Sequence, residues 1–192
     1  GLPKDPLLRL AGLYHDAAKP ACKSTDHNGQ DHFHGHPAKS AVLLDERMAA
    51  LRFDNKSRER AVLLVRLHDE RPKPSDARIL RLLSDIGYEN FLLLCDLRTA
   101  DNAAHNGAYP AIREEAKQIR EMRERGMALV AAGTCYRIAD LAVSGRDITD
   151  ATPYRGHEIG DALHYLLSAV MGGTVKNERE PLLAYLAAHP LP

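Results

Sequence analysis

Apolar positions recur at helical spacing along nearly the whole chain, and polar breaks separate them into segments. In "DPLLRLAGLYHDAAK", Leu7, Leu10, Ala11 and Tyr14 repeat every three or four residues. Asp5 stands where an N-cap belongs and Pro6 at the first helical position, which predicts a helix from there. Residues 19–35 are polar and rich in histidine, with Pro20, Gly29 and Gly35, and read as a loop long enough to carry function. Pro37 starts a second predicted helix that runs to about Leu51. Asp54 caps a third through His68, whose Ala61, Leu64 and Val65 share one face. After the break "RPKP", Ser75 caps a fourth, with Ile79, Leu82, Leu83 and Ile86 inside and Gly87 as its stop. A strongly apolar fifth helix is predicted over 89–105, and Pro110 opens a highly charged sixth that ends near Gly126.

Beyond Gly126 the pattern changes to short apolar pieces and glycines, "MALVAAGTCYRIADLAVSGRDI". A seventh helix is predicted from about Tyr154 to Val170, stopped by Gly172 and Gly173. Asn177 with Glu180 three residues on resembles a capping box for a last helix. No segment alternates convincingly with period two, and repeats are lacking. The expected fold is all-α, a helical bundle over residues 1–126 followed by a small helical tail over 127–192.

Composition narrows the function. At 44% hydrophobic and 27% charged residues the chain reads as globular. Lys+Arg and Asp+Glu balance at 26 each, so no broad basic field announces nucleic acid, and any RNA contact rests on a local patch. Cys22, Cys95 and Cys135 lack CxxC spacing, which predicts reduced thiols in a cytoplasmic protein. No apolar run is long enough to span a membrane, so no membrane partner is expected. The chain begins at Gly1 and enters an apolar helix almost at once, which suits a piece of a longer protein.

Five of the ten histidines fall within the first 36 residues, and this draws attention to metal chemistry. His15 and Asp16 offer a mixed nitrogen and oxygen pair suited to a divalent ion. Successive helix residues point about 100° apart, so both reach one ion only where the helix opens into a loop. The competing reading is a histidine placed against the C-terminal helix dipole. Lys19 is positioned to meet a phosphate. His36 sits at the edge of the helix begun by Pro37, where free N–H groups favour an anion, while His27 and His34 fit a solvated loop. His68 shares the inward face of its helix, as a core histidine would, and is followed at once by Asp69. Two helices ending in His-Asp can bring four ligands together. Asp101 falls on an inward face of the fifth helix and wants a cation, since an unpartnered buried carboxylate is costly. Asp96 is the reserve candidate, with Arg98 as its structural partner.

The ordered set "LAGLYHDAAKP…HFHGHPAKSA…LLVRLHDERP…LRTAD" resembles the HD superfamily of metal-dependent phosphohydrolases. More closely, it is similar to the HD region of bacterial tRNA nucleotidyltransferases, the CCA-adding enzymes and their poly(A) polymerase relatives. There the corresponding stretch runs roughly "LLHDIGKP…HFYGHxxxSA…LVxxHDxRP". The likeness extends through "LAVSGRDI" and "RGHEIGDALHYLLSAVMGGTVKNEREPLLAYL" to the tRNA-binding tail of those enzymes. It implies metal ligands at His15, Asp16, His36, His68, Asp69 and Asp101, catalytic roles for Asp16, Lys19 and Asp69, and phosphate contacts at Lys19 and His36. Ala17-Ala18 replaces the usual Ile-Gly, and His34 stands where relatives often have Tyr. An additional histidine of the pattern would precede Gly1. The nucleotidyltransferase head is absent from this sequence, so nucleotide addition is not expected of it.

In the tail, Arg155 and His157 precede a helix with Ile159, Leu163, Leu166 and Val170 along one stripe. They suit an RNA phosphate held at the helix start, or a plain amphipathic helix. The expected function is a phosphohydrolase or phosphodiesterase acting on nucleotide or RNA phosphate esters, with Mg, Mn, Fe, Ni, Co or Zn as cofactor. The alternatives are the non-catalytic tRNA-binding body and tail of a CCA-adding enzyme, and a free-standing HD phosphohydrolase.

Overall fold

The structure, a computed structural model, describes residues 4–70 and 75–191. In chain order the elements are α1 (Pro6–Tyr14), α2 (Lys19–Cys22), β1 (Ser24–Thr25), β2 (Asp31–His32), α3 (His36–Ala50), α4 (Asn55–Leu67) and α5 (Asp76–Ile86). They continue with α6 (Tyr88–Ala104), α7 (Pro110–Ala131), α8 (Gly145–Ala151), α9 (His157–Met171) and α10 (Arg179–Ala188). The fold is all-α as expected. Among the described residues the strands are β1 and β2, two residues each and antiparallel, with Ser24 opposite His32 and Thr25 opposite Asp31.

The described residues form two compact units, 4–70 with 88–123, and 75–87 with 124–191. In the first, α3 packs on α4, α1 on α4, and α6 against both α1 and α4. The capping chemistry read from the sequence is present. Asp5 Oδ1 accepts the N–H groups of Leu7 and Leu8 at 2.8 and 3.0 Å, and Asp54 Oδ1 accepts that of Ser57 at 2.9 Å. Leu8, Leu44, Met48, Leu64 and Phe91 are fully buried where the four helices meet. Each such side chain contributes about 1.5–3 kcal/mol relative to exposure. This core holds the ends of α1 and α4 side by side.

In the second unit Val143, Ile148, Leu166, Leu182 and Leu186 form the core, and α5 packs on α9. Here the structure adds α8, too short for a periodic pattern to reveal. Ser144 and Asp147 cap it reciprocally, the Asp147 carboxylate accepting the Ser144 N–H at 2.9 Å.

Other boundaries also move. α7 runs through Gly126 to Ala131, because buried Met122 and Leu129 keep the stripe going across a glycine that costs a helix only about 1 kcal/mol. α9 starts at His157 rather than Tyr154. α10 begins after Glu178, and Asn177 is not its cap. The Asn177 amide instead donates to the Asp140 carbonyl and accepts from the Ala142 N–H, each at 2.8 Å. Ser75 does precede α5, without a side-chain cap bond. The stretch 19–35 contains α2 and the hairpin instead of only loop. "RPKP", residues 71–74, lies outside the described residues.

Candidate metal centre

His15 and Asp16 stand where α1 unwinds. His15 is the C-cap, and a run of turns follows, Ala17 N–H to Tyr14 and Lys19 N–H to Asp16, both 3.0 Å. The helix therefore ends where two consecutive side chains can converge. The turn is anchored from α3: the Ala18 N–H donates to Ser40 Oγ at 3.1 Å, and Ser40 is fully buried. Ser40 lies four residues beyond His36, so one face of α3 supplies both the anchor and the ring. α4 contributes His68 as its C-cap, and α6 contributes Asp101.

The three histidines are held alike. Nδ1 of His15 donates to the Gly12 carbonyl at 2.8 Å, that of His36 to Phe33 at 2.9 Å, and that of His68 to Val65 at 2.7 Å. A carbonyl only accepts, so each Nδ1 carries the proton and each Nε2 presents its lone pair in the neutral ring. All three Nε2 atoms turn toward Asp16. His36 and His68 approach its Oδ1 at 3.1 and 3.5 Å, and His15 approaches Oδ2 at 3.3 Å. The Nε2 atoms of His36 and His68 are 3.3 Å apart. Asp16 Oδ1 is buried and accepts no hydrogen bond.

Lone pairs facing one another and a carboxylate oxygen repel unless a cation sits among them. A buried acceptor without a donor costs about 1–3 kcal/mol. The ligand atoms of His15, Asp16 and His68 all lie within 4.8 Å of one another, a group that can hold a metal ion. The donor set is imidazole plus carboxylate, suited to first-row divalent metals. Each ring already has the Nδ1 bond that metal-binding histidines use to fix orientation. The residues therefore fit a divalent cation.

Burial pushes the His68 pKa below its ordinary 6.5, so its ring is neutral and its lone pair available at pH 7. His15 behaves differently. Its Nε2 lies 3.1 Å from Asp101 Oδ1, and this bond raises the His15 pKa against the effect of burial. The same bond draws Asp101 below the ordinary carboxylate value. Asp101 thus stands beside the cluster as the late carboxylate. Asp96 does not: it pairs with Arg123 at 2.6 Å, and the expected Arg98 partnership is replaced by an approach of Arg98 to Glu115 at 3.8 Å.

The remaining candidates separate. Lys19 donates to Asp16 Oδ2 at 2.5 Å and reaches the adjoining pocket. His36 joins the cluster and is almost completely buried. Asp69 is exposed on the pocket wall, outside the compact ligand group. Arg155 belongs to the second unit, where its Nη1 donates to the carbonyls of Thr149, Thr152 and Tyr154 at 3.3, 2.9 and 2.6 Å. The Arg155 N–H is taken by the Glu158 carboxylate at 3.0 Å, so an acidic side chain already stands at the start of α9. His32 and His34 stack on each other with ring centroids 5.4 Å apart, and His32 bonds Asp26, away from the cluster.

Beside the cluster lies a cavity of about 320 Å³ whose far side is built from α6 and the first turns of α7. Sequence reasoning missed this wall. Arg98, Asn102 and His105 line it from α6, and Glu114, Glu115 and Gln118 from α7, the helix that reads from the sequence only as highly charged. His105 was legible in principle, one helical turn after Asp101. Glu115 interrupts an inward stripe with Ile112, Ile119 and Met122.

The family model for the HD domain matches residues 3–140. No curated protein and no solved structure matches the chain.

Proposed function

The chain belongs to the HD domain family, and from that premise we propose that it is a metal-dependent phosphohydrolase acting on nucleotide or RNA phosphate esters. The observation that carries the reading is the convergence of three Nδ1-locked histidines on a buried carboxylate oxygen that no donor satisfies. A divalent ion bound there supplies Lewis-acid polarisation of a phosphate ester and lowers the pKa of a water nucleophile. His15, Asp16 and His68 would hold the ion, with His36 and Asp101 adjoining them. Lys19 both steadies Asp16 and presents an ammonium to the pocket, where it meets phosphate oxygens. The Gly12 carbonyl fixes the His15 ring at Nδ1, and Asp101 adds a carboxylate 3.1 Å from the Nε2 that faces the ion's place. Asp69, on the pocket wall, orients water or substrate.

The ordered motifs also support a finer reading, an HD domain of a tRNA nucleotidyltransferase-like protein. The non-catalytic tRNA-gripping alternative rests on the exposed Arg155, of whose guanidinium Nη1 is held by three carbonyls.

The test is elemental mass spectrometry of the purified chain together with phosphate release from mono- and diester substrates, before and after adding Mg²⁺ or Mn²⁺. The expected result is bound metal and turnover in the wild type, both lost in Asp16→Ala and His68→Ala. Stoichiometric metal retained by both variants, or turnover unaffected by a chelator, overturns it.

A further inference from the structure

We propose that the chain forms a two-fold homodimer in which the outer face of α3 packs antiparallel on the same face of a second copy, with Lys39 of each copy paired to Glu46 of the other. The inference goes beyond the phosphohydrolase reading and does not depend on it.

α3 turns one side to the core of the first unit, where Ser40, Ala41, Leu44 and Met48 are buried. Its other side carries Lys39, Val42, Leu43, Glu46 and Ala50 at spacings of three and four residues, all of them exposed. Val42 is 52% and Leu43 42% exposed. Single exposed apolar side chains are ordinary, but these two are neighbours at the middle of one face, and open grooves adjoin them. A groove of about 420 Å³ has Ala18, Ala21 and Ala38 on its walls beside Val42 and Leu43. A second, of about 370 Å³, runs between Tyr14, Leu43 and Ala50. Short alanine side chains leave room there for the ridge of another helix.

The charges identify that helix. Lys39 and Glu46 are seven residues apart, about 10 Å along the axis, and too far to pair with each other. The helix positions three and four residues from Lys39 hold His36, Val42 and Leu43, and those around Glu46 hold Val42, Leu43, Ala49 and Ala50, so neither meets an opposite charge on its own helix. Among the described residues neither forms an ion pair within the chain. Lys39 also stands in the first turn of α3, where the helix dipole disfavours a cation.

A two-fold axis passing between Val42 and Leu43 satisfies these groups together. Residues 39 and 46 lie equally far on either side of it, as do 42 and 43, so antiparallel pairing sets Lys39 of one copy opposite Glu46 of the other, twice. Val42 and Leu43 of the two copies cover one another between the flanking charges, as in the apolar seam of a coiled coil. Parallel pairing would set lysine against lysine and glutamate against glutamate, so the same charges choose the direction.

The experiment is sedimentation velocity of the full chain from low micromolar to several hundred micromolar concentration. Wild type is compared with Leu43→Asp, Lys39→Glu, Glu46→Lys and the double exchange Lys39→Glu/Glu46→Lys, with circular dichroism confirming the fold of each. All three positions are exposed, and both charge exchanges suit the α3 dipole, so unfolding does not mimic the effect. The expected result is a wild-type dimer that dissociates on dilution and weakens with added salt, and a monomeric Leu43→Asp. Each single charge exchange sets like charges together twice and should weaken the dimer about tenfold or more. The double exchange should restore it to within about threefold, and so should an equimolar mixture of the two single variants, whose heterodimer regains both opposite-charge pairs. A wild-type chain that stays monomeric, which leaves the α3 face to a different protein segment, overturns the proposal. So does a dimer indifferent to Leu43→Asp, or single-exchange variants that are not weakened or not restored by mixing.

Discussion

Replacing Asp16 by asparagine separates a metal centre from an ordinary buried polar cluster, because it changes the metal-free and metal-bound states in opposite directions. In the wild type, Asp16 Oδ1 is buried, accepts no hydrogen bond and faces the Nε2 atoms of His36 and His68 at 3.1 and 3.5 Å. An Asn side chain placed the same way puts an NH₂ donor there and keeps an oxygen for Lys19. Satisfying the two facing lone pairs relieves about 1–3 kcal/mol in the metal-free protein. Against this stands the weakened Lys19 pair, about a third exposed on both sides and worth about 0–1 kcal/mol. The metal-free variant should therefore be as stable as the wild type or more so. With metal the order reverses: at a hundredfold excess over Kd, binding stabilises the wild type by about 2.7 kcal/mol. At about 2–4 °C per kcal/mol for a chain of this size, that is a rise of roughly 5–11 °C in Tm, which the variant should lack. Thermal unfolding by circular dichroism, with EDTA and then with Mn²⁺, reads both effects. A metal-free Asp16→Asn that melts more than about 2 °C below wild type, or that keeps the Mn²⁺ shift, would refute the reasoning.

Ser40→Ala leaves the buried Ala18 N–H without its acceptor; we expect a loss of about 1–3 kcal/mol in urea unfolding and weaker metal binding, since the turn carrying Asp16 loses its anchor. Phe91→Ala empties a fully buried site on α6 and should cost about 3–5 kcal/mol in the same assay. Burial pushes the Cys95 thiol up to about 12 and that of Cys135 up to about 11, so alkylation at pH 8 should modify Cys22 alone in the folded protein and all three thiols after denaturation, as counted by intact mass. Arg125 holds Asp76 below its ordinary 3.8, so this exposed pair stabilises above that value, and its contribution disappears as pH falls through the lowered pKa. Asp76→Asn should thus lower the melting midpoint slightly at pH 7, and the difference should shrink steadily as the pH is taken below 3.8.

The helices of the first unit and most of their caps were legible from the sequence, because Asp5, Pro6 and Asp54 act on neighbours a few residues away and apolar periodicity is a local property. The pairing of His15 with Asp16 at a helix end was legible for the same reason. The short α8, the hairpin and the start of α10 were not. Two-residue strands and a seven-residue helix carry too little period, and Asn177 was drawn to backbone groups more than thirty residues away. For the site, local sequence offered the ligand types but could not choose Asp101 over Asp96. That choice was made by which face of α6 packs on α1 and which is met by Arg123 from α7. It also could not show that Glu115 and Gln118 turn into the pocket while Arg155 folds back on its own loop. Hydrogen-bonding reach within a turn is written in adjacent residues; the direction a polar side chain takes between helices depends on groups brought close only by burial of the core. Sequence thus determined the helices and the candidate ligand types, and tertiary packing decided which carboxylates stand beside the histidines and which side chains line the adjoining cavity.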